Sequence, residues 1–146
     1  MARSQNATFR GDEPKSIGDR IRGESYARLI ADGLASRDWS IGEIDDWRDA
    51  GFLIPLVHEK ANIVIVVSQY HGDDRRWILQ IAPAQSPGWI RRLLGTVVVA
   101  TPGQIHDVAS DIHAILVDGG CSEFLWCWDD LADSDVCDCV PMPDGR

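Results

Sequence analysis

The sequence predicts a single α+β domain in which a mostly antiparallel sheet of about four strands carries helices packed on one face. Two observations lead to this fold class. Runs of β-branched and apolar residues, separated by short turns, predict neighbouring antiparallel strands. Apolar residues at spacings of three and four predict amphipathic helices. The predicted order is two helices, three strands, a short helical segment at residues 87–95, a long helix and a last strand.

Three helices are predicted from one-sided apolar stripes. The first spans residues 24–37, and a short second helix spans residues 40–50 with a capping box at its start. The longest helix has Thr101 as its N-cap, followed by a proline, and ends at Gly119. Its predicted buried stripe consists of Ile105, Val108, Ala109, Ile112, Ile115 and Leu116.

The predicted strands begin immediately after the second helix. Residues 52–58 form the first, and Pro55 marks it as an edge strand or a bulged one. Residues 62–70 are filled with β-branched side chains, and residues 75–82 return after a short turn, which predicts an antiparallel hairpin. A short β-branched run follows at residues 96–100.

The last predicted strand precedes an acidic end of the chain. Phe124, Trp126 and Trp128 recur at period two, which indicates a strand with one buried face. From residue 118 onward the carboxylates are opposed by Arg146 alone, whereas acids and bases nearly balance in the rest of the chain. These carboxylates are Asp118, Glu123, Asp129, Asp130, Asp133, Asp135, Asp138 and Asp144.

Composition predicts one domain with loose ends. The 146 residues suit a single core, which we expect over residues 21–132. Residues 1–20 are polar and aperiodic and are expected to be a flexible leader, and residues 133–146 a flexible acidic tail. The net charge of −9 disfavours nucleic acid and anionic lipid as partners. The N-terminus lacks the apolar run of a signal peptide, so we expect a cytoplasmic protein.

No catalytic or cofactor motif stands out. The chain has no serine elbow, phosphate-binding glycine loop or dinucleotide fingerprint, so we expect neither an enzyme nor a cofactor. The spacing of Cys121, Cys127, Cys137 and Cys139 does not match paired zinc knuckles, and ordinary free thiols are expected instead. Two alternatives remain open: a small metal- or thiol-dependent enzyme that uses these cysteines, and a homodimeric accessory protein.

Residues 75–130 resemble small bacterial immunity-type proteins of toxin/immunity systems. The similarity lies in the segments Arg76-Trp-Ile-Leu-Gln-Ile-Ala-Pro83, Pro87-Gly-Trp-Ile-Arg-Arg-Leu-Leu-Gly95, Ile112-His-Ala-Ile-Leu116 and Phe124-Leu-Trp-Cys-Trp-Asp129. The resemblance implies a single cytoplasmic domain, often acidic, that blocks a toxin by tight binding. It assigns no functional residue.

The acidic end and the tryptophans together favour a protein-binding module with a basic partner. Negative charge raises the rate at which a basic partner is captured, and tryptophans supply desolvated anchors at interfaces. The residues expected to contact the partner are Asp129, Asp130, Asp133 and Asp135, with Trp89 and Trp47 as apolar anchors. No metal-binding residue is predicted.

Overall fold

The computed structural model describes residues 4–12, 23–47, 51–70, 72–73, 75–84, 98–129 and 137–143, with Trp47 and Val98 described in their backbone only. These residues form an α+β domain, which confirms the predicted fold class. Its elements in chain order are β1 (Gln5–Arg10), α1 (Glu24–Ala35), β2 (Ser40–Ile41), β3 (Asp45–Trp47), β4 (Gly51–His58), β5 (Ala61–Gln69), β6 (Arg76–Pro83), β7 (Val98–Val99), α2 (Pro102–Asp118), β8 (Ser122–Trp128) and β9 (Cys137–Asp138).

All the strands within the described ranges belong to one sheet, which has more than the four strands expected. The order across the sheet is β2-β4-β5-β6-β1-β8-β9, with β3 also paired to β4 and β7 to β5. Among the described residues, only the two-residue β7 pairs in parallel. The predicted hairpin is confirmed, because β5 and β6 pair antiparallel from Ile63 and Pro83 to Gln69 and Trp77.

The flexible leader expected over residues 1–20 is wrong for residues 5–10, which form an interior strand. β1 lies between β6 and β8 and pairs antiparallel with both. The side chain of Phe9 is fully buried, and so is that of Gln5. The partners of β1 lie about half the chain or more away, so the pairing that makes these residues a strand leaves no local periodicity. Residues 1–3 and 13–20 of the expected leader lie outside the described residues.

The flexible tail expected over residues 133–146 is wrong for residues 137–143. Cys137 and Asp138 form β9 against β8, and Met142 is nearly buried in the core. Burial of this methionine and pairing of β9 fix the segment, because each removes apolar surface or a polar backbone group from water.

The second helix, expected over residues 40–50, is also wrong for the described positions. Residues 40–41 and 45–47 are strands that pair with β4. Between them, the Gly42 N–H donates to the Pro55 carbonyl at 2.8 Å. The N–H and C=O of one strand residue point the same way, so the N–H that Pro55 lacks would face Gly42. Gly42 lies between β2 and β3, and the missing donor therefore falls outside both paired segments. Pairing with β4 therefore overrides a weak helical pattern.

One core lies between a face of the sheet and the two helices. α1 contacts β4 and β2, whereas α2 contacts β6 and β1, and the helices contact each other. The buried residues of α2 are the six of its predicted stripe. Gly33 lets α1 approach α2 closely, since a Cβ there would lie 2.7 Å from Ile115 Cδ1.

Two further predictions concern the tryptophans of β8 and a helical segment before β7. Trp126 and Trp128 are buried on the core side of β8, as their period predicts. The helical segment expected at residues 87–95 lies outside the described residues. Within the described ranges, neither helix has both the length and the apolar character that a bilayer crossing requires.

Candidate functional site

Four of the six residues expected to contact a partner lie outside the part of the chain that the structure describes. These four are Asp130, Asp133, Asp135 and Trp89. The backbone of Trp47 ends β3, opposite Gly51, and its side chain is not described. Of the six, Asp129 alone has a described side chain.

Asp129 is exposed and its carboxylate has a local partner. Its N–H donates to the Ser4 carbonyl at 2.7 Å, and its Oδ1 accepts from the Ser4 N–H at 3.2 Å. Its own carbonyl accepts from Asn6 Nδ2 at 2.6 Å. This residue therefore fastens the end of β8 to the start of β1, and its carboxylate is held in one place at the surface.

A cleft surrounds Trp39, which directly precedes the edge strand β2, at the end of the strand order opposite β8 and β9. The end of α1 carries the two bonds of a Schellman motif: Trp39 N–H donates to the Leu34 carbonyl, and Asp38 N–H to the Ala35 carbonyl. Asp38 has a φ of 68°, the left-handed conformation that this motif requires and that Asp tolerates better than most residues. The chain therefore turns sharply at Asp38 and directs Trp39 back against the core.

Asp111 of α2 fixes the indole of Trp39. Trp39 Nε1 donates to Asp111 Oδ2 at 2.8 Å, while Arg37 Nη1 donates to Asp111 Oδ1 at 2.9 Å. One carboxylate thus accepts from two neighbours on the α1 end, and both of its oxygens are occupied. Because the indole is hydrogen-bonded and partly buried, the ring is held in place before any ligand arrives.

The β4–β5 hairpin forms the opposite wall. His58 lies with its ring centroid 4.5 Å from that of Trp39, at an interplanar angle of 53°. The turn residues Glu59 and Lys60 both have positive φ, 49° and 69°. This is the geometry of a two-residue primed turn, which normally uses Asn and Gly. Both side chains are exposed, and Glu59 Oε2 accepts from Gln104 Nε2 at 3.3 Å.

The resulting cleft has a volume of about 360 Å³ and is open to solvent. It contains three carboxylates and one guanidinium, and the guanidinium is already paired with Asp111. No ion pair to Asp38 or Glu59 occurs within the described part of the chain. Arg37 also borders a second cleft of about 280 Å³ between α1 and α2. The first cleft is lined by Arg37, Asp38, Trp39, Ser40, Val57, His58, Glu59 and Asp111.

The described lining of this cleft suits the binding of a cation. An aromatic ring held beside carboxylates attracts cations, because the ring face and the carboxylates are both negative. The sequence does not predict the site, since Trp39 and Asp111 lie 72 positions apart and each occurs in an ordinary local context. The nearest local signal is the helix end at Asp38, which locates a turn but not its neighbours.

Two of the four cysteines differ from the free thiols expected, whereas Cys121 and Cys139 are free. Cys127 and Cys137 face each other in the β8–β9 ladder and form a disulfide. Cys121 is buried, and burial raises the pKa of its thiol to about 11 against the opposing effect of a hydrogen bond with Tyr26. Cys139 is exposed. In the described ranges, no group of three His, Cys, Asp or Glu side chains is arranged to hold a metal ion.

His113, in the C-terminal half of α2, contacts two aromatic residues of β8. His113 Nδ1 accepts from Trp126 Nε1 at 3.1 Å, and its ring lies 4.5 Å from that of Phe124. Burial lowers the pKa of His113 below its ordinary value of 6.5. The neutral ring is the form that this hydrogen bond requires, because Nδ1 must keep its lone pair.

Comparison of the chain with protein-family models, curated proteins and solved structures found no match.

Proposed function

We propose that this chain is a protein-binding module without catalytic activity, and that it recognises a basic protein partner. The observation that carries the proposal is the cleft around Trp39, where a hydrogen-bonded indole and the exposed residues Asp38 and Glu59 line the same cavity. Tryptophan is enriched among the residues that dominate interface energies, and opposite charges accelerate association. The net charge of −9 favours the same class of partner.

The biological role that we propose is neutralisation of a bacterial toxin by occlusion. This part rests on the resemblance of residues 75–130 to immunity-type proteins. A toxin that acts on an anionic substrate carries a basic active surface, and an acidic module covers such a surface by charge complementarity.

The disulfide bears on where the module acts. The sequence-based expectation is a cytoplasmic protein, whereas the Cys127–Cys137 bond is favoured in an oxidising compartment, because cytosolic thiols are kept reduced. The binding proposal does not depend on the compartment. The alternative of a thiol- or metal-dependent enzyme is less favoured, since two of the cysteines are bonded to each other and Cys121 is buried.

The experiment is an affinity pull-down of the tagged chain from its native lysate, washed at low salt and at about 1 M salt, where the screening length falls to about 3 Å. We expect one basic protein, retained in near-equal amount at low salt and depleted at high salt. That protein, when expressed alone, should impair growth, and co-expression with this chain should restore it. Retention of a basic partner without growth impairment would leave the binding proposal intact and contradict the toxin role.

Matched variants connect the partner to the cleft. The double variant Asp38→Asn, Glu59→Gln removes two charges with little change in shape, and Glu24→Gln removes one at the far end of α1, about 20 Å away by helical rise. We expect the double variant to retain less partner and Glu24→Gln to retain a normal amount. Absence of any partner at low salt would contradict the proposed function.

A further inference from the structure

We propose that the cleft around Trp39 is a binding site for an arginine side chain, presented by the protein partner. The inference rests on the proposed function and assigns the chemistry of one contact within it. It depends on three features of the cleft: a fixed aromatic ring, an excess of negative charge, and a size that suits one long side chain.

The ring is the first feature. The hydrogen bond from Trp39 Nε1 to Asp111 Oδ2 and the contact with His58 hold the indole in one orientation. A cation within about 6 Å of an indole centroid is attracted by the ring quadrupole, and tryptophan is the strongest of the aromatic partners. A ring that is already fixed loses little conformational freedom when the ligand binds.

Charge is the second feature, and it excludes an anion. Arg37 carries the one guanidinium among the described lining residues, and its Nη1 is paired with Asp111 Oδ1 at 2.9 Å. The other two carboxylates of the lining belong to Asp38 and Glu59, which have no ion pair among the described residues. Sharp turns with positive φ fix the backbone at both positions. A ligand that enters therefore meets two carboxylates and no unpaired cation among the described lining residues.

Size and shape are the third feature and favour arginine. A cleft of about 360 Å³ admits one long side chain but is small for a folded element. Guanidinium is planar, stacks on aromatic faces and carries several donors for carboxylates, whereas the ammonium of lysine is a strongly hydrated point charge. A planar cation can contact the indole and still donate to a carboxylate at the rim.

The test uses a short peptide and the indole N–H resonance of Trp39 in a ¹H–¹⁵N correlation spectrum. The probe is acetyl-Gly-Arg-Gly-amide, and the comparison peptides carry citrulline or lysine at the central position. We expect the arginine peptide to shift the Trp39 resonance saturably, with a dissociation constant in the millimolar range. The resonances of Trp77 and Trp126 are internal controls, because both side chains are fully buried.

Charge variants provide the second readout. The double variant Asp38→Asn, Glu59→Gln should weaken arginine-peptide binding about two- to tenfold, the effect expected for two exposed ion pairs. Glu24→Gln should leave the affinity unchanged within about twofold. An equal shift with the citrulline peptide, equal affinity for the lysine peptide, or wild-type affinity in the double variant would overturn the proposal.

Failure of this inference is distinguishable from failure of the proposed function. If a basic partner is retained in a salt-dependent manner but the arginine peptide leaves Trp39 unshifted, the partner binds elsewhere and the arginine site is wrong. If the arginine peptide binds the cleft and no basic partner is found, the affinity of the cleft for arginine stands, whereas the proposed function and the partner that would present the side chain are wrong.

Discussion

Gln5 and Met142 exchange two hydrogen bonds that join the first strand to the last described segment. Gln5 Nε2 donates to the Met142 carbonyl at 3.1 Å, and the Met142 N–H donates to Gln5 Oε1 at 2.9 Å. The side-chain amide thus takes the place of a neighbouring strand's peptide group. Gln5 is fully buried, so neither its own amide nor the Met142 peptide has water as an alternative partner.

Substitution of Gln5 by Ala is predicted to destabilise the fold strongly. It would leave the Met142 N–H and carbonyl unpaired in a buried position, and each such group costs about 1–3 kcal/mol. We expect the free energy of unfolding to fall by about 2–4 kcal/mol, measured by urea denaturation. The control is Gln80→Ala on the exposed side of β6, which should change it by less than about 0.5 kcal/mol. Equal effects of the two variants would contradict this account of the Gln5 pair.

Loss of the Cys127–Cys137 disulfide is predicted to destabilise the fold and release the last segment. The bond closes a loop of sequence separation 10, for which the chain-entropy estimate is about 3 kcal/mol. The double variant Cys127→Ala, Cys137→Ala should lose about that amount in chemical denaturation. Hydrogen exchange should rise in residues 137–143, which the bond holds against β8. Cys139→Ala, at an exposed thiol, should change neither quantity.

A thiol count checks the same bond independently. Without reductant, the denatured chain should show two reactive thiols, from Cys121 and Cys139, and four after reduction. In the native protein Cys139 should react first. Cys121 should react slowly because it is buried and its pKa is raised to about 11, which leaves little thiolate at neutral pH. Four reactive thiols without reductant would rule out the disulfide.

These contacts explain which features the sequence could predict. α2 is encoded locally: Thr101 and Gln104 form a capping box and a proline follows the cap, so cap and stripe lie within one window. β1 is specified by its pairing with β6 and β8, which are distant in sequence. Trp39 and Asp111 are 72 residues apart, so the contact that builds the cleft is likewise not encoded within one local window. The candidate site is therefore made of long-range contacts, which periodicity and short motifs do not detect.

A single glycine in the Glu59–Lys60 turn is predicted to increase the stability of the fold. Lys60 has a φ of 69°, a conformation that is unfavourable for residues with a Cβ and that this turn type normally assigns to Gly. Lys60→Gly should raise the free energy of unfolding by about 0.5–1 kcal/mol, after allowance for the greater freedom of glycine in the unfolded chain. Lys60→Ala is the matched control and should not stabilise, because it keeps the Cβ. Equal changes in both variants would show that the gain arises from loss of the lysine charge.

Stability is predicted to depend on pH through His113. Burial lowers the pKa of this histidine from 6.5, so near that pH the unfolded chain binds more protons than the folded one. The free energy of unfolding therefore rises with pH through this window. The contribution of His113 is present above about pH 6.5 and is lost as the pH falls through the lower pKa of the folded state. Protonation of Nδ1 also removes the acceptor for Trp126 Nε1.

The variant His113→Gln separates this effect from the other titrating groups. Its amide oxygen can still accept from Trp126 Nε1, but it takes up no proton, and the variant keeps the other three histidines of the sequence. We expect the thermal midpoint of the wild type to fall more than that of the variant between about pH 8 and pH 5.5, a range above most carboxyl pKa values. The Trp126 indole resonance should move with the same titration in the wild type and stay fixed in the variant. If both proteins lose the same stability, the pH dependence arises from groups other than the His113–Trp126 pair.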